Sequence, residues 1–263
     1  MNWSGLRAEV NGCFDLFFPP LCLLCHAPRG ESLDPSLCTR CLDGILPLTS
    51  PCCPRCALPF ATIGGGDHVC GECLLHPPDF TWTVAAGLYE EGLRHAIHRF
   101  KFGDSLALDR PLARLLDAAW RRTAPQWIPD LLVPVPLHPH RLGLRTYNQA
   151  LLLARELGRS RQLPVDARLL VRILPTIAQA GLTARERHRN LLGAFALTRP
   201  LSGEKILLVD DVMTTGTTAR ICAKALRAAG AGEVGLAVLA RARRNSMLGL
   251  ETTLRREVED SGC

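Results

Sequence analysis

Ile206-Leu-Leu-Val209 is an unbroken apolar run, the pattern of a strand buried on both faces. Asp210 and Asp211 follow at its end, then a loop of threonines around one glycine, Thr214-Thr-Gly-Thr-Thr218. Beyond the loop, Ile221, Cys222, Ala225 and Leu226 recur at helical spacing. The same unit recurs upstream. Thr81 to Leu88 reads as a strand with Trp82, Val84 and Ala86 on one face. Tyr89 to Phe102 reads as a helix with Leu93, Ile97 and Phe100 aligned, and His95, His98, Arg99 and Lys101 distributed around it as a solvated basic face. Ser105 to Arg122 is a further helix with Pro111 in its first turns. Asp130 to Pro136 is a strand ending at Pro134 and Pro136, and Asn148 to Leu157 a helix. Leu169 to Ile173, Gly193 to Leu197 and Glu233 to Ala240 complete the strands. Strands alternating with helices predict an α/β fold with a parallel sheet.

In such a sheet, ligands sit beyond the carboxyl ends of the strands. Asp210 and Asp211 are expected there. Gly216 lets the backbone turn tightly. Amides at the following helix start lack intrahelical partners and can take phosphate oxygens, as can the hydroxyls of Thr214, Thr215, Thr217 and Thr218. The carboxylates repel phosphate and suit sugar hydroxyls, Mg²⁺ or both. The combination predicts a sugar-phosphate site. There is no Walker A sequence, and no Gly-x-Gly-x-x-Gly follows a strand.

The first eighty residues differ from the rest. They show little periodicity, and ten of the twelve cysteines fall before residue 74. Cys22/Cys25, Cys38/Cys41, Cys53/Cys56 and Cys70/Cys73 are four Cys-x-x-Cys pairs, enough for two tetrahedral zinc ions. Pairing in chain order is simplest: Cys22, Cys25, Cys38 and Cys41, then Cys53, Cys56, Cys70 and Cys73. An interleaved arrangement also satisfies the spacing. Cys52 is out of register, and His26, His68 and His76 read as turn or surface residues. Regular knuckles favour zinc over iron–sulfur, and eight thiolates leave no open catalytic position.

Net charge is +6, unevenly spread. Residues 1–80 carry four Lys/Arg against eight Asp/Glu; residues 81–263 carry twenty-seven against seventeen. The basic part fits anionic substrates or nucleic acid; the acidic part argues against a phosphate-backbone footprint on the cysteine-rich segment. Phe14, Phe17 and Phe18 could stack on bases, but core packing is favoured. A protein partner for this segment is therefore preferred to single-stranded DNA. The apolar stretch Cys13 to Cys25 is short and broken by Pro19-Pro20, so no membrane span or signal peptide is expected and the cytoplasm is the default compartment. His138, His140, Arg141 and Arg145 follow the second strand as a cationic loop, and Thr176 to Asn190 is a charge-dense segment that could close over an anion or form an amphipathic helix.

The thirteen residues Ile206 to Thr218 resemble the phosphoribosyl diphosphate motif of type I phosphoribosyltransferases. The resemblance implies that Asp210 and Asp211 face the ribose 2′ and 3′ hydroxyls and that Thr214, Thr215, Gly216, Thr217 and Thr218 hold the 5′-phosphate. Nearly the whole chain is similar to the ComF family, amidophosphoribosyltransferase-like proteins associated with competence and DNA uptake. Cys22 to Cys73 matches its double zinc ribbon. Val133 to Ala150 matches a second signature, with Tyr147 in the aromatic place and Thr146 where Gly is usual. Gln179 to Asn190 matches a third. The family implies a type I phosphoribosyltransferase fold, a parallel-sheet core with helices on both faces, preceded by a small zinc-ribbon domain. Boundaries are expected at 1–78, 79–244 and a weakly ordered tail at 245–263. The resemblance implies two structural zinc ions, Mg²⁺, and phosphoribosyl diphosphate or a related sugar phosphate as ligand. Arg141, Arg145, Asn148, Gln149, Arg185, Arg187 and Arg189 become pyrophosphate and loop candidates. The function expected is a Mg²⁺-dependent phosphoribosyltransferase-like protein of unnamed acceptor. The alternative is a non-enzymatic adaptor in DNA uptake or processing that keeps the sugar-phosphate site.

Overall fold

The computed structural model describes residues 19–32, 34–61, 65–102, 105–123, 125, 127–137, 147–173 and 193–243. Four strands form the main sheet: β1 (Trp82–Leu88), β2 (Leu131–Pro134), β5 (Lys205–Met213) and β6 (Glu233–Arg241). Their order is β1-β6-β5-β2 and every pairing is parallel. The short strands β3 (Leu170–Arg172) and β4 (Phe195–Leu197) pair antiparallel in a separate ribbon.

The continuous apolar runs predict burial on both faces, and the sheet has it. On one face Leu207, Val209, Ala237 and Leu239 share a core with Leu93, Ile97, Phe100, Leu112, Leu116, Leu153 and Leu157. These last residues come from α3 (Glu91–Phe102), α4 (Asp109–Thr123) and α5 (Gln149–Arg161). On the other face Ile206, Leu208, Val234, Leu236 and Val238 pack with Ala219, Cys222, Ala223 and Leu226 of α6 (Thr217–Ala228). Each fully buried Leu, Ile or Val of this set contributes on the order of 1.5–3 kcal/mol. In β1, Trp82, Val84 and Ala86 face the first core as their alternation predicts, and Ala85 faces the second. Pro111 is the third residue of α4, where no intrahelical N–H bond is lost. Among the described residues no helix is long and apolar enough to cross a membrane.

The cysteine-rich segment has two short helices, α1 (Thr39–Asp43) and α2 (Gly71–Leu75). It has no core of its own. Cys22, Leu24, Leu37, Cys38 and Ile45 join the first core, and Cys53, Cys56, Ala57, Leu58, Cys70 and Cys73 join the second. Both cores therefore cross residue 78. Backbone and side-chain bonds stitch the junction: Leu88 N–H donates to Leu46 O at 2.9 Å, Gly92 N–H to Gly44 O at 3.2 Å, and Thr83 Oγ1 to Arg55 O at 2.6 Å. Arg114 grips Asp34 with two donors, at 2.8 and 2.9 Å. Burial raises the Asp34 pKa, but that guanidinium and the amides of Ser36 and Leu37 outweigh it and hold the carboxyl below its ordinary value.

At Gly87 the two segments touch closely: a Cβ there would stand 2.4 Å from the backbone oxygen of Leu46. Gly87→Ala is expected to destabilise the protein by about 1–3 kcal/mol by overpacking. Thermal unfolding should show a single transition moved down, because the junction belongs to both segments; two separated transitions would contradict the shared core.

Candidate sugar-phosphate site and two cysteine centres

The β5–β6 ladder continues through Met213 opposite Arg241, so Asp210 and Asp211 lie inside paired strand rather than after it. Both are half-buried at the carboxyl edge of the sheet. The Asp211 amide donates to Asp210 Oδ1 at 2.8 Å. Asp210, Val212, Met213, the loop Thr214 to Thr218, Ala219 and Val238 line one small concavity of about 30 Å³. Asp210 and the hydroxyl loop thus share it, and Asp211 is the next residue along the strand.

Gly216 has φ +78°, the left-handed region, and caps α6. A Cβ on it would meet the Met213 Cε at 2.6 Å. Thr215 supplies the side-chain cap that glycine lacks: its Oγ1 accepts from the Thr217 amide at 3.4 Å and lies 2.8 Å from Thr217 Oγ1. The first i→i−4 bond is Arg220 N–H to Gly216 O at 2.9 Å. The amides of Thr218 and Ala219 precede it, at the positive end of a twelve-residue helix, and both residues line the concavity. The helix start thus presents amides and hydroxyls beside Asp210, a donor set that suits an anion.

One cation reaches this site that the sequence reading places elsewhere. Lys101, expected on a solvated helix face, bonds Asp211 Oδ1 through Nζ at 2.8 Å. The last turn of α3 ends against the sheet edge, so position 101 meets the acid pair. Arg99 also leaves the expected face and donates to Leu24 O and contacts His26 Nε2 at 2.7 Å. His95 and His98 remain exposed. A dedicated divalent-cation site wants carboxylates unshared with an ammonium, so this pair fits sugar hydroxyls better than a resident Mg²⁺.

Arg241 is the functional residue the sequence reading missed. It falls there just past the last strand, Glu233 to Ala240, with no role assigned. In the structure it is 4% exposed and ends β6. Its Nε donates to Cys56 O at 2.9 Å, and its Nη1 to Met213 O at 3.0 Å, to Ala242 O at 3.0 Å and to Thr214 O. Burial lowers its pKa, and the sulfurs of Cys56, Cys70 and Cys73 push it back up. β6 is a continuous apolar run from Val234 to Ala240, so no local alternation could mark residue 241 as inward.

Asn148 caps α5: Oδ1 accepts from the amides of Ala150 and Leu151 at 3.0 and 3.4 Å, and Nδ2 donates to Val135 O at 3.1 Å. Gln149 is buried, 1% exposed. These bonds tie the helix start to the end of β2. Arg141, Arg145, Arg185, Arg187 and Arg189 lie outside the described residues, as do His138, His140, Cys13, Phe14, Phe17, Phe18 and the segment 245–263.

The cysteines cluster in chain order. The sulfurs of Cys22, Cys25, Cys38 and Cys41 all lie within 4.8 Å of one another, and so do those of Cys53, Cys56, Cys70 and Cys73. The interleaved arrangement is excluded. His26 and His68 stay outside both sets; His68 stacks on Phe60 with centroids 4.0 Å apart. Cys222 is a fully buried core residue, its thiol pKa raised by burial and by nearby Asp210.

Four sulfurs this close cannot all ionise without a cation. In the metal-free chain each set splits. In the first, burial raises Cys22 but surrounding amides outweigh it and bring it to about 6, while burial and neighbouring sulfurs push Cys41 up. In the second, the Cys56 thiol donates to Cys53 and brings it to about 4; Cys56 rises in turn, and burial lifts Cys73 to about 12. A tetrahedral divalent ion removes that conflict, so both donor sets fit structural zinc. Cys53, Cys56, Cys70 and Cys73 are all buried, whereas Cys25 is exposed. Chelator competition should release about two zinc ions per chain in two phases, the first set emptying faster. Cys25→Ser should abolish the fast phase and leave the slow one; release of one ion in a single phase by the wild-type chain would contradict the assignment.

Residues 13–74 match the double zinc ribbon domain family, and residues 167–252 match the phosphoribosyl transferase domain. The chain is 38% identical over 232 residues to competence protein F of Haemophilus influenzae, spanning 86% of this chain and 99% of that one. It is 36% identical over 232 residues to the DNA utilization protein YhgH of Escherichia coli K12, with the same 86% and 99% spans. A purine phosphoribosyltransferase from Pyrococcus horikoshii superposes with a TM-score of 0.32 and 17% identity, over 49% of this chain and 73% of that one, too distant to inform fold or chemistry. The fold described above is thus a phosphoribosyltransferase-like parallel sheet flanked by helices and preceded by a cysteine-rich zinc module.

Proposed function

The chain belongs to the competence protein F and YhgH family, and from that premise we propose that it serves DNA uptake or DNA processing while keeping a sugar-phosphate binding site. One observation carries the second half of this reading. Asp210 and the loop Thr214 to Thr218 line a single half-buried concavity at the sheet's carboxyl edge, with Asp211 beside it.

The ligand class is phosphoribosyl diphosphate or a related ribose 5-phosphate. The phosphate takes the amides of Thr218 and Ala219 and the threonine hydroxyls. The ribose hydroxyls donate to Asp210 and Asp211, with Lys101 Nζ holding the Asp211 carboxylate in place. Arg141, Arg145, Asn148, Gln149, Arg185, Arg187 and Arg189 are the proposed holders of a diphosphate at C1. A protein partner on the zinc module is preferred to single-stranded DNA, because residues 1–80 carry four basic against eight acidic side chains.

A second reading, transfer of the phosphoribosyl group to an acceptor, draws on the same intact loop. Positioned phosphate and ribose contacts would hold C1 against the incoming group, and cationic side chains would stabilise the departing pyrophosphate. Magnesium, when bound, would neutralise that leaving group. Release of pyrophosphate in the presence of an amine or nucleobase acceptor distinguishes this reading from binding alone.

Calorimetric titration of the zinc-loaded chain should show saturable binding of ribose 5-phosphate, and tighter binding of phosphoribosyl diphosphate. Hydrogen bonds to charged groups contribute about 1.5–3 kcal/mol each, so Asp210→Asn with Asp211→Asn should weaken binding by roughly tenfold or more. The melting temperature should change little. Absence of binding by the wild-type chain, or full binding by the double variant, overturns the sugar-phosphate site.

A further inference from the structure

We propose that Arg241 is a positioning residue of the phosphate loop, and that through it the second cysteine centre sets the shape of that loop. The first clause rests on the sugar-phosphate reading of the loop; the second is a statement about the fold and is tested without ligand.

The observation is one side chain joining two sites. Arg241 is almost fully buried, and the four hydrogen bonds named above all end on main-chain oxygens. One is the carbonyl of Cys56, itself a member of the second centre. Two others, Met213 and Thr214, are the last strand residue and the first loop residue before the Gly216 turn. A guanidinium is planar with donors in a fixed fork, so it holds these carbonyls at set angles rather than at a loose distance.

The Cys56 carbonyl is fixed by the knuckle it belongs to. Ala57 sits at φ +55° and its amide donates to Cys53 O at 2.8 Å, while the Cys53 amide donates to Leu58 O at 2.9 Å. Those bonds close a turn around the sulfurs of Cys53 and Cys56. An ion gripping both sulfurs holds the turn, and with it the oxygen that Arg241 meets. A second contact runs in parallel: Arg220, in the first turns of α6, donates through Nη1 to His76 O at 2.6 Å and approaches Cys73 Sγ at 3.9 Å. The centre thus reaches the loop from both ends, Arg241 at Thr214 and Arg220 just beyond Ala219.

The backbone here has little slack. Gly216 is packed on Met213, whose oxygen also accepts from the Ala242 amide at 3.1 Å. If the Cys56 carbonyl moves, Arg241 must either follow it and release Met213 and Thr214, or stay and leave a buried donor unmet, which costs about 1–3 kcal/mol.

The test reads hydrogen exchange at the amides of residues 214–219 in the full chain, with the second centre loaded and emptied. Emptying uses Cys73→Ser, with zinc content verified, and, as an independent route, chelation of the wild-type chain through its slow phase, with exchange after the fast phase as the reference state. In the wild-type background, loss of that ion should speed exchange at 214–219 by about tenfold or more, with β5 and β6 protected as before. In Arg241→Met, which keeps the bulk of the side chain and removes its donors, those amides should already exchange fast and respond no further to the ion. Arg241→Lys should restore part of the protection, and should serve where the Met variant does not fold. The affinity for ribose 5-phosphate should follow the same order, wild type, Lys, Met. Exchange at 214–219 that ignores the second centre in the wild-type chain overturns the coupling. Equal dependence on the ion with and without Arg241 overturns the role of that residue. A wild-type chain that shows the exchange coupling and binds no sugar phosphate leaves the coupling standing and removes the function proposed for the loop.

Discussion

Burial of β5 on both faces is the constraint from which the site follows. A strand lying between β6 and β2, with helices above and below, has no place for charge along its middle. After Lys205 at its exposed start, its next ionisable side chains come at the far end of the buried stretch, at Asp210 and Asp211. The ladder with β6 nonetheless runs on to Met213, so the acids are held by strand register rather than by a loop. The chain must then reverse at once into α6 to cover the second face. The left-handed Gly216 makes that reversal, and the loop and helix start line one concavity with Asp210. The proposed phosphate loop and the acids beside it are two outcomes of closing one sheet.

The zinc ribbons belong to the same closure. Each contributes to a different face: the first backs the core of α3 and α4, the second backs the core of α6. Metal binding of order 10 kcal/mol per structural site can hold a segment that buries too little apolar surface to fold alone. Here that energy also braces the sheet. The first ribbon holds α3 through Arg99 on Leu24 O, and α3 carries Lys101 to Asp211. The second holds the loop through Arg241 on Cys56 O. The two halves of the site, acids and phosphate loop, each have a ribbon behind them.

Local patterns made much of this legible. The apolar runs gave the buried strands because a two-faced parallel strand has no polar alternation to confuse it, and the Cys-x-x-Cys spacing gave the centres because two sulfurs of one knuckle must converge. Asp210 to Thr218 was readable for the same reason, being contiguous. What stayed hidden was contact between distant segments. Lys101 and Asp211 are 110 positions apart, and Cys56 and Arg241 are 185 apart. A helix wheel shows Lys101 on a polar face but not that the helix ends at the acid pair. Arg241 falls just past the expected strand end at Ala240, and only the register of β6 against β5 turns its side chain inward. The choice between chain-order and interleaved cysteine pairing was likewise beyond spacing, because both satisfy tetrahedral arithmetic.

The excess of arginine, compatible on composition with nucleic acid, has a different account in the fold. Guanidinium groups among the described residues are largely occupied by this chain's own oxygens. Arg29 donates to Ser32 O and Asp34 O, Arg220 to His76 O, Arg227 to Ala231 O, and Arg241 to four carbonyls. Asp117 takes Arg121 and Arg161, Asp34 takes Arg114, and Glu90 takes Arg243. A ribbon that turns tightly around metal leaves many carbonyls without helix or sheet partners, and five donors in a fixed fork satisfy several of them at once. Lysine, with one compact charge, cannot bridge carbonyls in that way. The arginines of the junction therefore follow from joining irregular backbone to a closed sheet, and the charge they carry is spent inside the molecule rather than displayed along a track for a phosphate backbone.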